Sequence, residues 1–320
     1  MSLGRVLTLN NGVKFPQIGF GTWQAKPGEV EKAVAEAIRI GYRHIDAALI
    51  YQNQNEVADG IADAKIPREE LTIVSKLWNN SHRPENVEAD LDLTLSQLRT
   101  SYLDVYLIHW PVAFKAGKEL APNGPDGNKA LDLDVSIIDT WKELVRIYKE
   151  TNKVKAIGVS NFTIEHLEAI INATGVVPAV NQIEAHPSLI QPELFKYAKE
   201  KGIVITAYSP LGNNLTGKPR VIDAPQVQEI AKGLGKEPAQ VLIAWATKNG
   251  FAVIPKSVTP SRIASNFQDF ELEDKDFDEI NKWGLANRTR ANIPYLYNPK
   301  WDINIFGEEE EKEATHKVVI

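Results

Sequence analysis

Eight short apolar runs separated by stretches of helical period constrain this chain more than any other feature of its sequence. The runs lie at 18–21, 43–46, 72–76, 104–109, 154–159, 179–182, 203–208 and 251–255. The helical stretches lie around 29–40, 55–65, 84–99, 135–150, 163–173, 191–201 and 223–249. A run such as Ile203-Val204-Ile205-Thr206-Ala207-Tyr208 is apolar on both faces, as a parallel sheet covered by helices requires. Eight strand–helix units favour a closed (β/α)8 TIM barrel over an open doubly wound sheet. A length of 320 residues suits one such barrel, so 1–320 reads as a single domain. Ahead of the first unit, residues 6–15 predict an N-terminal β-hairpin, because Asn11-Gly12 accepts the positive φ angles of a tight turn.

Three segments break the rhythm. Residues 112–133 and 209–222 are long loops after the fourth and seventh strands, on the side where a barrel builds its active site. After about residue 285 the periodicity stops, and the apolar but irregular segment through Pro294 and Trp301 is expected to lie over the barrel mouth. Residues 307–320, with the charge run from Glu308 to Glu311, predict a solvated tail. The composition narrows the partners. Net charge is −6 with scattered basic residues, which argues against nucleic acid. No run approaches the about 20 apolar residues of a membrane helix, and the first residues lack a signal-peptide pattern. Cysteine is absent, which removes disulfides, a thiol nucleophile and thiolate metal ligands. A cytoplasmic protein is expected, with no membrane and no metal; its oligomeric state is not readable.

Polar groups gather where the strands end. Asp46 ends the second strand, and Tyr51 follows in its loop. Lys76 ends the third strand, and His109 ends the fourth. A lysine closing an apolar strand needs a partner against desolvation, and Asp46 is the obvious one. An ammonium beside a phenol favours the phenolate, so Tyr51 is expected below its usual value of about 10. Such a tyrosine can give a proton to a carbonyl oxygen or take one from an alcohol. A histidine beside that oxygen can orient it. Each residue alone also has a plain structural account: a core ion pair, a loop aromatic, a buried imidazole. Their joint placement at successive strand ends favours chemistry.

Other chemistries find no motif. There is no Gly-x-Ser-x-Gly elbow, no His-x-x-x-His metal spacing and no Gly-x-Gly-x-x-Gly fingerprint, since Gly19-Phe20-Gly21 lacks its third glycine. An anion site is available after the eighth strand, where Lys256, Ser257 and Arg262 lead into a short helix.

Several spaced motifs resemble the aldo-keto reductase family over nearly the whole length. They are Gly-Tyr-Arg-His-Ile-Asp-Ala-Ala at 41–48, Lys76 in Ser-Lys-Leu-Trp, and Leu-Ile-His-Trp-Pro at 107–111. Gly-Val-Ser-Asn-Phe at 158–162, Asn181-Gln182, Tyr208-Ser209-Pro210-Leu211 and Ile-Pro-Lys-Ser-Val at 254–258 complete the set. The resemblance implies a barrel that binds NADPH across its strand ends, with Tyr51 as general acid and base. Lys76 and Asp46 would tune it, and His109 would orient the carbonyl. It implies that Tyr208 stacks on the nicotinamide, that Ser160, Asn161 and Gln182 hold its carboxamide, and that Ser209, Leu211 and Asn213 follow the pyrophosphate. Thr22 and Trp23 would also meet the cofactor. Lys256, Ser257, Val258 and Arg262 would take the 2′-phosphate, and Asn266 would meet the adenine. Trp23, Trp78, His109 and Trp110 would line the substrate pocket.

Departures from the family pattern also carry expectations. Gln54 and Ala58 replace a glutamate and a glycine after the tyrosine, and Gln24 stands where some members have a lysine over the pyrophosphate. Ser265 replaces a glutamate, and the 209–222 loop offers no matching acid. A looser cofactor grip with faster release is expected. The ending from Trp301 to Gly307 is similar to that of fungal NADP-dependent glycerol dehydrogenases and glyceraldehyde reductases. That likeness implies a short hydroxylated aldehyde or its polyol as substrate. A pentose or uronate reductase is the nearest alternative, and a nicotinamide-binding sensor or accessory subunit is the alternative of another class.

Overall fold

A computed structural model describes residues 2–215, 217 and 219–320 of the chain. Strands β1 (Val6–Thr8) and β2 (Lys14–Pro16) pair antiparallel around a turn in which Gly12 has φ 89°. This is the expected hairpin. Its Leu9 and Phe15 plug the floor of the barrel, packed with Val74, Leu107, Val180 and Ala252.

The barrel strands are β3 (Phe20–Gly21), β4 (His44–Asp46), β5 (Thr72–Leu77), β6 (Val105–Ile108), β7 (Ile157–Ser160), β8 (Val180–Glu184), β9 (Val204–Tyr208) and β10 (Ala252–Val253). They run parallel in chain order, and the ring closes where Ile18 bridges Val253 and Gly21 N–H donates to Pro255 O at 3.1 Å. Closure at this seam needs Gly21, since a Cβ there would lie 2.9 Å from Ile254 O. The outer ring holds α1 (Val30–Ile40), α2 (Gln54–Ala64), α3 (Pro84–Leu98), α4 (Ile137–Glu150), α5 (Ile164–Thr174) and α6 (Pro192–Lys201). It continues with α7 (Pro225–Leu234), α8 (Pro238–Lys248), α9 (Pro260–Asn266) and α10 (Asp274–Ala286). Their apolar faces and the outward faces of the strands form one continuous core that includes Val34, Ile45, Ile73, Trp141 and Trp245. The sheet is buried on both sides, which is why its strands read as unbroken apolar runs. Among the described residues no helix is long and apolar enough to cross a membrane.

Two expectations are corrected. The helical stretch 223–249 is two helices: Gly235 ends α7 at φ 62°, and Pro238 starts α8 at a position where its missing N–H costs nothing. Residues 307–320 are not a solvated tail. β11 (Ile303–Asn304) pairs parallel with β12 (His316–Lys317), and Ile137 N–H donates to Val319 O at 2.9 Å. Glu311, inside the charge run, is 0% exposed, and its carboxylate accepts the backbone N–H groups of Ile305, Phe306 and Glu308. A buried carboxylate satisfied by three donors is a cap rather than part of a solvated face. The C-terminal segment reaches the barrel mouth as expected, where Trp301, Ile303 and Ile305 pack with Trp78, Trp110 and Phe114.

Candidate active site

The strand ends bring the four expected polar groups together. Asp46 is the last residue of β4, and its backbone O accepts the Thr22 hydroxyl at 2.8 Å. Lys76 is the fifth residue of β5 and 0% exposed. Its Nζ donates to Asp46 Oδ2 at 2.7 Å and to Ala47 O at 2.7 Å. The third Nζ–H direction is left for Tyr51, whose hydroxyl lies 3.5 Å away at the end of the short turn Leu49–Tyr51. Gln182, on β8, donates to the other carboxylate oxygen, Asp46 Oδ1, at 2.8 Å. His109 follows β6, with its ring edge-on to Tyr51 and to Trp78 at 5.9 and 5.2 Å. Its Nδ1 is buried without a partner, which leaves Nε2 facing the cavity.

The electrostatics differ from the sequence expectation at the phenol. Burial, and then the Asp46 carboxylate, holds Tyr51 well above its usual value rather than below it. The phenol is therefore protonated throughout the neutral range. Burial also lowers Lys76, and Asp46 opposes that fall by charge and by hydrogen bond. The 2.7 Å contact is the length of a charge-assisted bond, so we take the pair as ammonium and carboxylate. Burial, then Lys76 and His82, drives His109 well below its usual value, so the imidazole is neutral.

Asp46, Tyr51, Gln182 and His109 line a cavity of about 620 Å³ that runs along the strand ends, and Lys76 is buried behind them. Trp78, Trp110 and Trp301 wall one end, with Asn292 and Tyr297 from the C-terminal segment. Thr22, Trp23, Ser160, Asn161, Gln182 and Tyr208 line its middle. Ser209, Leu211, Asn213 and Lys256 line the other end. Ser257, Val258, Arg262 and Asn266 do not line it; they follow Lys256 in the turn and in α9. Ser257 Oγ there accepts the Thr259 N–H at 3.1 Å. A second cavity of about 630 Å³, between α5, α6 and the C-terminal segment, contains none of the strand-end acids, bases or amides.

Backbone strain marks the same place. Among the described residues six non-glycine residues have positive φ, and three of them, Gln24, Asn161 and Ser209, line the cavity. Gln52, beside Tyr51, is a fourth, while Lys65 and Arg99 merely end α2 and α3. Strain held by its surroundings is typical of functional sites. The groups present suit a long anionic ligand with a planar head. The Tyr208 ring is half-buried, with its hydroxyl donated to Asn161 Oδ1 at 2.6 Å, and the Ser160 and Gln182 side chains lie beside it. At the far end Lys256 Nζ donates only to Gln24 O at 3.1 Å and has no ion-pair partner among the described residues. Gln54, the departure after Tyr51, is buried and ties β5 to α3 through Ser75 Oγ at 2.6 Å and Gln97 Oε1 at 2.9 Å.

The aldo/keto reductase family profile matches residues 17–284. D/L-glyceraldehyde reductase of Hypocrea jecorina is 54% identical, covering 100% of this chain and 99% of its own length. Glycerol 2-dehydrogenase (NADP(+)) of Saccharomyces cerevisiae is 43% identical, covering 87% of this chain and 90% of its own length. Among solved structures, the aldose reductase of Giardia lamblia superimposes with a TM-score of 0.85 at 39% identity, covering 91% of this chain and 98% of the other. That of Schistosoma japonicum gives 0.84 at 41% identity, covering 91% and 95%. With the barrel, the strand-end cluster and these matches in hand, this chain belongs to the aldo/keto reductase family.

Proposed function

We propose that the protein reduces short hydroxylated aldehydes of the glyceraldehyde type to alcohols with NADPH, Tyr51 giving the proton. The observation that carries this reading is the chain Asp46–Lys76–Tyr51, with contacts of 2.7 and 3.5 Å, opening on the cavity beside His109. The relatives that reduce glyceraldehyde or oxidise glycerol by name support the substrate class.

When bound, the reduced nicotinamide supplies a hydride to the carbonyl carbon. His109 Nε2–H donates to the carbonyl oxygen and sets the angle at which the aldehyde lies. As negative charge grows on that oxygen, Tyr51 releases its proton to it. An alkoxide is a far stronger base than a phenolate, so a phenol with a raised value still gives its proton downhill. Lys76 stabilises the phenolate left behind, and Asp46 keeps Lys76 charged in a site that would otherwise lower it. Solvent returns the proton after the product leaves. Tyr208, Ser160, Asn161 and Gln182 would hold the nicotinamide end. Lys256 suits a phosphate because its half-buried ammonium meets only a carbonyl, and Ser257 and Arg262 follow it outward. The tryptophans at the mouth exclude water from the reacting atoms.

Steady-state kinetics with glyceraldehyde, xylose and galacturonate, each with NADPH and with NADH, tests this reading. The highest kcat/KM is expected for glyceraldehyde with NADPH. A protein that binds NADPH and reduces none of the three would overturn it.

A further inference from the structure

Glu184 closes β8 two residues beyond Gln182, so both side chains leave the strand on the same face, toward the mouth. Its residue is 1% exposed, yet among the described residues its carboxylate makes no ion pair with a lysine or arginine. Instead it accepts the backbone N–H of Ala291 at 2.9 Å, the backbone N–H of Asn292 at 2.8 Å and the Asn292 Nδ2–H at 2.9 Å. His186 Nε2 is the fourth donor, at 2.9 Å. Burial alone would raise this carboxyl, but His186 and the Ala291 and Asn292 N–H groups outweigh it and hold it below the usual range. A carboxylate can only accept, so Asn292 must turn its NH₂ to Glu184. Its Oδ1 is then turned the other way, with Tyr297 Oη 3.4 Å from it. Asn292, Tyr297 and Trp301 all line the cavity that holds Tyr51 and His109.

We propose that Glu184 is a positioning residue for the substrate pocket: from the end of β8 it clasps the C-terminal segment at Ala291 and Asn292 and holds that wall against the reacting groups. The neighbouring ties do not duplicate it. Thr289 N–H donates to Ser188 O at 2.7 Å, and Arg290 reaches Gln191 Oε1 at 2.9 Å. Both act before residue 291, on the outer rim. Loss of the Glu184 contacts therefore loosens the stretch 291–301 that walls the cavity, while 288–290 stay docked and the later residues stay held by the β11–β12 pair and the Ile137 N–H to Val319 O bond. The phosphate end of the cavity, at Lys256 and Gln24, lies away from this wall, so substrate binding suffers more than cofactor binding. This consequence for turnover rests on the reading that the cavity takes an aldehyde.

Glu184→Gln keeps the shape, removes the charge and places an NH₂ among donors. Hydrogen exchange of the NADPH-bound protein is expected to quicken in 291–301 and to stay unchanged in 286–290 and in the barrel strands. KM for glyceraldehyde is expected to rise about ten- to a hundredfold, the usual cost of losing hydrogen bonds to a charged group, with the NADPH Kd within about twofold. Unchanged exchange in 291–301, or a fall in kcat with KM unchanged, overturns the proposal. If this variant fails to fold, Glu184→Asp keeps the charge but shortens the reach, and the same pattern is expected at smaller amplitude. Should the wild type reduce no aldehyde at all, the functional reading falls, while the exchange comparison still decides whether Glu184 is the clasp.

Discussion

Lys76→Met removes the ammonium from the site while nearly keeping the volume of the side chain. At 3.5 Å and an effective dielectric of about 20, a full phenolate beside that ammonium is stabilised by about 5 kcal/mol. With the proton about half transferred in the transition state, about 2 kcal/mol of this is felt, or roughly thirty- to fiftyfold in kcat. The same change strands the Asp46 carboxylate, now held only by Gln182 at 2.8 Å, and breaking a buried pair costs about 3–5 kcal/mol of stability. The two effects separate in the double variant Asp46→Asn/Lys76→Met, which leaves no stranded charge. Its melting temperature should recover toward wild type while kcat stays low. The assay is NADPH oxidation at saturating glyceraldehyde, followed by absorbance, with cofactor Kd measured by fluorescence. A double variant that folds, binds NADPH and turns over within about threefold of wild type would refute the role given to the ammonium.

Three further outcomes follow from the same geometry. Because Tyr51 is held above its usual value and His109 below its own, both are in the form that reduction needs across neutral pH. The kcat of reduction should be flat from about pH 6 to 9, the range between the ordinary imidazole and phenol values. Alcohol oxidation needs the phenolate, so its kcat should climb with pH through that range; a reduction rate that falls by pH 7 would contradict the assignment. Lys256→Ala should raise the NADPH Kd about tenfold and leave the NADH Kd within about twofold, since one charge-assisted contact to phosphate is lost; equal losses for both cofactors would remove Lys256 from the 2′-phosphate.

Much of the barrel was legible because its physics is local. A strand buried on both faces shows as an unbroken apolar run, and the runs match the strands from β4 to β9 within a few residues. The four polar groups were legible for a related reason: a charged or polar side chain that closes such a run must be paired or used. Glu184 meets that criterion in Asn181-Gln182-Ile183-Glu184, but its partners Ala291 and Asn292 lie more than a hundred residues away in a segment without periodicity, so nothing near it in the sequence says what it holds. Glu311 is hidden from the sequence for a complementary reason. A run of glutamates looks solvated, and nothing local says that one of them turns inward to cap the backbone at 305–308. Sequence and structure disagree on the direction at the Tyr51 phenol because charge proximity is readable from motif spacing, while the depth of burial that outweighs it is not.

The central claim is that the Tyr51 hydroxyl is the proton source for an aldehyde reduced in this cavity. Single-turnover reduction of glyceraldehyde by the NADPH complex of Tyr51→Phe addresses it most directly, since the ring and its packing survive and only the hydroxyl is lost. The account predicts a rate lower by about 10²–10⁴-fold with NADPH bound as tightly as in the wild type. A Tyr51→Phe complex that reduces the aldehyde within about threefold of the wild-type rate would contradict it.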